Sequence, residues 1–93
     1  MMTSSERVAI IYNRLQQALT PTKLEVFDES HHHIGHAGAQ KGGSHIKLVI
    51  ASPLFQGKTL VACHRLVYAA LGDLMREEIH ALQIDIPDVT VEK

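Results

Sequence analysis

Apolar residues change their spacing several times along this 93-residue chain, and each change predicts an element. Near the start, Val8, Ile11, Leu15 and Leu19 recur every three or four residues. Ile10 and Tyr12 widen that stripe, and Arg14, Gln16 and Gln17 are polar. The spacing predicts an amphipathic helix over 5–19. Ahead of it, Thr3-Ser4-Ser5-Glu6 puts a hydroxyl residue three places before a glutamate, the form of a capping box. Thr20-Pro21-Thr22 ends the helix, because proline disfavours helical backbone at the residue before it.

The period then falls to two. Leu24, Val26 and the adjoining Phe27 predict a short strand over 23–28. A second strand over 45–51 carries Ile46, Leu48 and Ile50 on one face and His45, Lys47 and Val49 on the other. The two should pair as an antiparallel hairpin. Between them the stretch 29–44 has no apolar period and contains Gly35, Gly38, Gly42 and Gly43. So long a loop in a small domain is usually functional or disordered. Ser52-Pro53-Leu54-Phe55-Gln56-Gly57 is turn-rich, with room for one helical turn. Over 59–75, Leu60, Val61, Cys63, Leu66, Val67, Ala70, Leu71 and Leu74 form a stripe broad enough to pack across a sheet. Arg76-Glu77-Glu78 interrupts it. A last strand over 79–86 would set His80, Leu82, Ile84 and Ile86 on one face and Ala81, Gln83 and Asp85 on the other. Residues 88–93 read as a loose tail. The expected architecture is α+β in the order α-β-β-α-α-β, a single domain over 1–93 with its core at about 5–86.

Composition narrows the function. Hydrophobic residues make up 45% of the chain, enough for a core without staples. Nine Lys and Arg against ten Asp and Glu give a net charge of -1. That balance offers no global field for a phosphate backbone. No apolar run approaches the ~18 residues of a membrane span. No basic segment followed by a long apolar core opens the chain. A soluble, cytoplasmic protein that does not enter membranes is expected. The only cysteine, Cys63, cannot form an internal disulfide. It lies on or beside the apolar stripe, where cysteine acts as a small hydrophobe.

Seven histidines stand beside that one thiol. His31, His32, His33, His36 and His45 fall in one stretch, and His80 lies far downstream. Imidazole is the commonest protein metal ligand. The chain could therefore contribute part of a metal site but not a four-thiolate one. Enzyme chemistry finds no support, since no Ser/His/Asp or Cys/His order and no Gly-rich phosphate loop is present. Asp28 and Glu29 are adjacent on a strand, hence on opposite faces, and do not form a carboxylate pair.

Five segments, in order and at compatible spacing, carry a resemblance. They are Leu24-Glu25-Val26-Phe27-Asp28-Glu29-Ser30, Ser44-His45-Ile46-Lys47-Leu48-Val49-Ile50, Ser52-Pro53-Leu54-Phe55-Gln56-Gly57-Lys58, His64-Arg65-Leu66-Val67-Tyr68 and Ile79-His80-Ala81-Leu82. The chain resembles the BolA family over about residues 6–86. The resemblance implies a three-stranded mixed sheet with helices on one face, similar to a class II KH domain. It implies pairing with a monothiol glutaredoxin and a shared [2Fe-2S] cluster, in iron–sulfur trafficking or iron-status regulation. Such a cluster needs four ligands. Two imidazoles would come from this chain, one thiolate from the glutaredoxin and one from glutathione. The isolated apo chain, a monomer or weak homodimer, would hold no cofactor.

The family pattern carries one ligand onto His80, whose plain alternative is a strand-end histidine bonded to backbone. The second family ligand lies in the loop between the first two strands. It falls on His33, with His36 a close rival and His31 and His32 weaker. The plain alternative there is a solvated loop that binds divalent cations weakly. His45, also part of the family pattern, reads first as a structural residue and second as an alternate ligand or a support for one. The family is also associated with DNA-binding transcriptional regulation, for which Lys47, Lys58, His64 and Arg65 are the candidate contacts. The negative charge and the absence of a Gly-x-x-Gly clamp count against that use. Cys63 stands where many relatives carry a basic residue, which further weakens a basic patch on this helix.

Overall fold

Thr3 starts the first helix by closing both halves of its capping box. Its Oγ1 accepts from the Glu6 N–H at 3.1 Å, and Glu6 Oε1 accepts from the Thr3 N–H at 2.8 Å. These bonds hold the Glu6 carboxyl below its usual pKa. The contribution of Glu6 is therefore complete above the ordinary carboxylate range and fades as pH falls through the lowered value. Thr3→Ala should cost ~1 kcal/mol in a urea melt at neutral pH, the usual cost of a lost hydroxyl cap.

The computed structural model describes residues 3–29 and 44–87. Helix α1 (Ser4–Leu19) leads into β1 (Lys23–Asp28), and β2 (His45–Ala51) follows. A 3-10 turn (Pro53–Phe55), α2 (Leu60–Leu71), α3 (Leu74–Glu77) and β3 (Ala81–Asp85) complete the order. Strand β2 lies in the middle of the sheet. It pairs antiparallel with β1, Leu24 opposite Ile50 and Asp28 opposite Ile46, and parallel with β3, His45 opposite Ala81. The sheet is thus mixed, as the resemblance implied. Because strand side chains alternate, Ile46, Leu48 and Ile50 all turn to one side. There they form a single core with Ile11, Leu15 and Leu19 of α1 and Cys63, Val67 and Leu71 of α2. The helices therefore cover one face only. Among the described residues, no helix is long and apolar enough to cross a membrane.

Two elements depart from the sequence expectation by more than one residue. The single helix expected over 59–75 is two, because Gly72 adopts φ 53 and ψ -127. A side chain rarely tolerates that backbone, and glycine does. Its N–H caps Tyr68 O at 2.9 Å, and the chain restarts as α3. The last strand begins at Ala81, not at residue 79. The Glu78 and Ile79 N–H groups both turn back to Leu74 O, at 2.9 and 3.0 Å, and close α3. Ile79 is thereby buried, while His80 falls on a bend outside the strand and is exposed. His80 does not share the core-facing side with Leu82 and Ile84, as strict alternation predicted.

Candidate functional site

The end of β1 and the starts of β2 and β3 meet at one end of the sheet, as the register requires. Ser44 organises that end. Its carbonyl accepts from both the His80 and the Ala81 N–H, each at 2.9 Å. Its buried hydroxyl donates to Glu78 O. The backbone of His80 is therefore fixed while its ring remains exposed. The His45 ring, half-buried on the neighbouring strand, lies 5.9 Å away between centroids at an interplanar angle of 55°. Glu29 N donates to His45 O at 2.7 Å, bringing the end of β1 to the same place. A recess of about 310 Å³ there is lined by Glu29, His45, Ile46, Ala81, Leu82 and Gln83.

Arg7 braces the site from α1. Its Nη1 lies 2.6 Å from Asp28 Oδ2, and its Nε lies 3.8 Å from Glu78 Oε1. Ser4 Oγ also donates to Asp28 Oδ2, at 3.0 Å. One guanidinium thus links α1, the end of β1 and the turn before His80. The Asp28 carboxylate is 4% exposed, so loss of Arg7 would remove the counter-ion of a buried charge, a costly outcome.

His80 and His45 come together. His33 and His36, with His31 and His32, lie outside the described residues. The segment carrying them leaves the sheet at Glu29 and returns at Ser44, the two residues bonded to His45, His80 and Ala81. Among the described residues, no three of His, Cys, Asp and Glu converge to hold an ion. Cys63 is fully buried, and its Sγ lies 3.7 Å from Phe55 O. Burial raises its pKa and disfavours the thiolate.

The candidate nucleic-acid contacts divide. Lys58 and Arg65 are exposed before and on α2. His64 is half-buried, and its Nε2 is buried without a hydrogen-bond partner. Lys47 alternates with buried Ile46 and Leu48 and so points to the opposite face of the sheet from α2. It does not join the other three.

Ser44 and Arg7 were not assigned roles from the sequence. Arg7 had a signal, since it lies four residues before Ile11 on the buried stripe of α1 and a charge there demands a partner. Ser44 had none beyond its place just ahead of the alternating strand.

A family model described as BolA-like protein matches residues 15–88. SufE-like protein 1, chloroplastic/mitochondrial, of Arabidopsis thaliana is 43% identical over 79 residues. The match covers 80% of this chain and 21% of that relative, so the chain spans about a fifth of the plant protein's length. The DNA-binding transcriptional regulator BolA of Escherichia coli is 36% identical over 74 residues, covering 80% of this chain and 68% of that protein. Among solved structures, the BolA domain of SufE1 from Arabidopsis thaliana superposes with a TM-score of 0.74. It shares 41% identity, covering 92% of this chain and 93% of that domain.

Proposed function

The chain belongs to the BolA-like family, and on that premise we propose that it is a non-catalytic adaptor sharing a [2Fe-2S] cluster with a monothiol glutaredoxin. The carrying observation is the sheet end where an exposed His80 stands 5.9 Å from His45, beside both anchors of the histidine-bearing segment. A cluster bound there would supply one iron with positions open to nitrogen donors. His80 would offer one imidazole, held by backbone bonds to Ser44 that do not use its ring. The second would be His33 or His36. Chain length alone keeps His33 within about 14 Å of Glu29, four residues at full extension. His45, at the rim of the recess, would orient these ligands or replace one.

The sulfur donors must come from elsewhere, because Cys63 is sealed in the core. One cysteine of the glutaredoxin and one bound glutathione complete the set of four. Two neutral imidazoles in place of two thiolates raise the reduction potential of such a centre. That favours iron–sulfur trafficking or iron-status regulation over inert structure. The plant relative's name places it in chloroplasts and mitochondria, so a cytoplasmic location for this chain remains our proposal. The test is anaerobic co-purification with a monothiol glutaredoxin, followed by iron, sulfide and absorption measurements. A stable complex with two irons and two sulfides is expected. A glutaredoxin that keeps its cluster and ignores this chain would refute the proposal.

A second reading is favoured by one observation, the E. coli relative named a DNA-binding regulator. Here Lys58, His64 and Arg65 would meet phosphates along α2. On this reading Arg65→Ala lowers DNA affinity and flattens its salt dependence by about one unit of logarithmic slope. No binding at physiological salt would reject it.

A further inference from the structure

A second open feature lies away from the two imidazoles. Strand β1 is a sheet edge whose only neighbour among the described residues is β2. The ladder bond from Glu29 N to His45 O fixes the phase of the antiparallel pair. By alternation, the backbones of Leu24 and Val26 then point out of the ladder. Beside this edge, α1 and β1 flank an open groove of about 730 Å³ with Val8, Ala9, Tyr12 and Val26 among its walls. Tyr12 and Phe27 are 42% and 43% exposed. We infer that this edge is a self-association surface, at which two copies of the chain pair β1 to β1, antiparallel, about a two-fold axis at Val26.

Charge selects both the occupant and the register. Outward-pointing residues of one copy must meet outward-pointing residues of the other, which leaves few alignments. With the axis at Val26, Lys23 of each copy stands opposite Glu29 of the other, and Glu25 opposite Phe27. Sliding one step in one direction sets Glu25 against Glu25, and one step in the other sets Glu25 against Glu29. Like charges directly opposite are unfavourable. A longer slide toward the strand's start meets Thr20, whose φ of 42 leaves the extended region, and then Pro21. Only the Val26 register uses the whole strand and pairs opposite charges. It is isologous and closes without propagating into a filament. The Arg7–Asp28 ion pair stays intact, and the sheet grows to six strands.

Sedimentation equilibrium of the full chain, from micromolar to millimolar, tests this. Association should weaken about tenfold in Lys23→Glu and again in Glu29→Lys, since each turns two attractive pairs repulsive. The double variant Lys23→Glu/Glu29→Lys should recover to within about twofold, because the pairs re-form with exchanged signs. Circular dichroism confirms that each variant folds. At high concentration, hydrogen exchange should slow at the Leu24 and Val26 amides and stay unchanged at Lys23 and Glu25, which already face β2. A chain monomeric at millimolar concentration overturns the inference. So does a double variant without rescue. Association indifferent to both charges also overturns it, and moves the contact to another surface such as exposed Leu60, Val61 and Tyr68 of α2.

Discussion

His80→Ala is expected to abolish the change in visible absorption and circular dichroism seen when the chain meets a cluster-loaded monothiol glutaredoxin. The same variant should keep its unfolding midpoint within about 0.5 kcal/mol of the parent. The ring is exposed, and the bond that places residue 80 runs from its backbone N–H to Ser44 O. On the proposed function, removing the imidazole removes a ligand without removing a brace. His33→Ala/His36→Ala should also lose the shift, since the proposed function gives one of the two the second nitrogen. A double variant with the parent's spectrum would show that the second ligand lies elsewhere, with His45 the next to test. A His80→Ala variant that is unfolded would mean that the residue serves the fold and not the cluster.

The second large effect concerns stability. Phe55→Ala should cost about 3–5 kcal/mol, the usual range for truncating a buried phenylalanine. The whole domain has of order 5–15 kcal/mol to lose. Phe55 is fully buried on the 3-10 turn, and its carbonyl accepts from Lys58 N at 3.1 Å and lies 3.7 Å from Cys63 Sγ. It thus joins the core to the turn that launches α2. In urea the midpoint should fall by about 2 M, given a slope of about 1–3 kcal/mol per molar. Leu54→Ala, at the preceding residue but 45% exposed, is the control and should change little. Equal losses from the two variants would contradict this account of the core.

Most of the fold is legible because its elements differ in period. The four-residue recurrence Ile11, Leu15, Leu19 and the two-residue recurrence Ile46, Leu48, Ile50 leave little ambiguity, and both sets are buried as expected. The break inside 59–75 was hidden because Leu71 and Leu74 continue the apolar stripe across Gly72. Only the backbone angle at Gly72 separates α2 from α3. Strand alternation carried back to residue 79 puts His80 on the core-facing side, but a helix-closing turn made by backbone bonds occupies that stretch. Those bonds to Leu74 O leave no mark in side-chain pattern.

The candidate site was legible in a different way. His80 becomes a candidate through a family motif, not through period or charge. Its proximity to His45 depends on parallel pairing of strands more than thirty residues apart. No local spacing encodes that. Arg7 was the opposite case. A guanidinium on a buried helical stripe announces a buried acid, but only the fold identifies Asp28, with Glu78 nearby.

On the proposed function this chain gives nitrogen and borrows sulfur. Pulsed electron paramagnetic resonance of the reduced complex, with only this chain labelled by 15N-histidine, reads that donation directly. Strongly coupled 15N from two imidazoles is expected in the labelled complex, with one coupling lost in His80→Ala. Identical spectra from labelled and unlabelled chains would mean that no histidine of this protein touches iron.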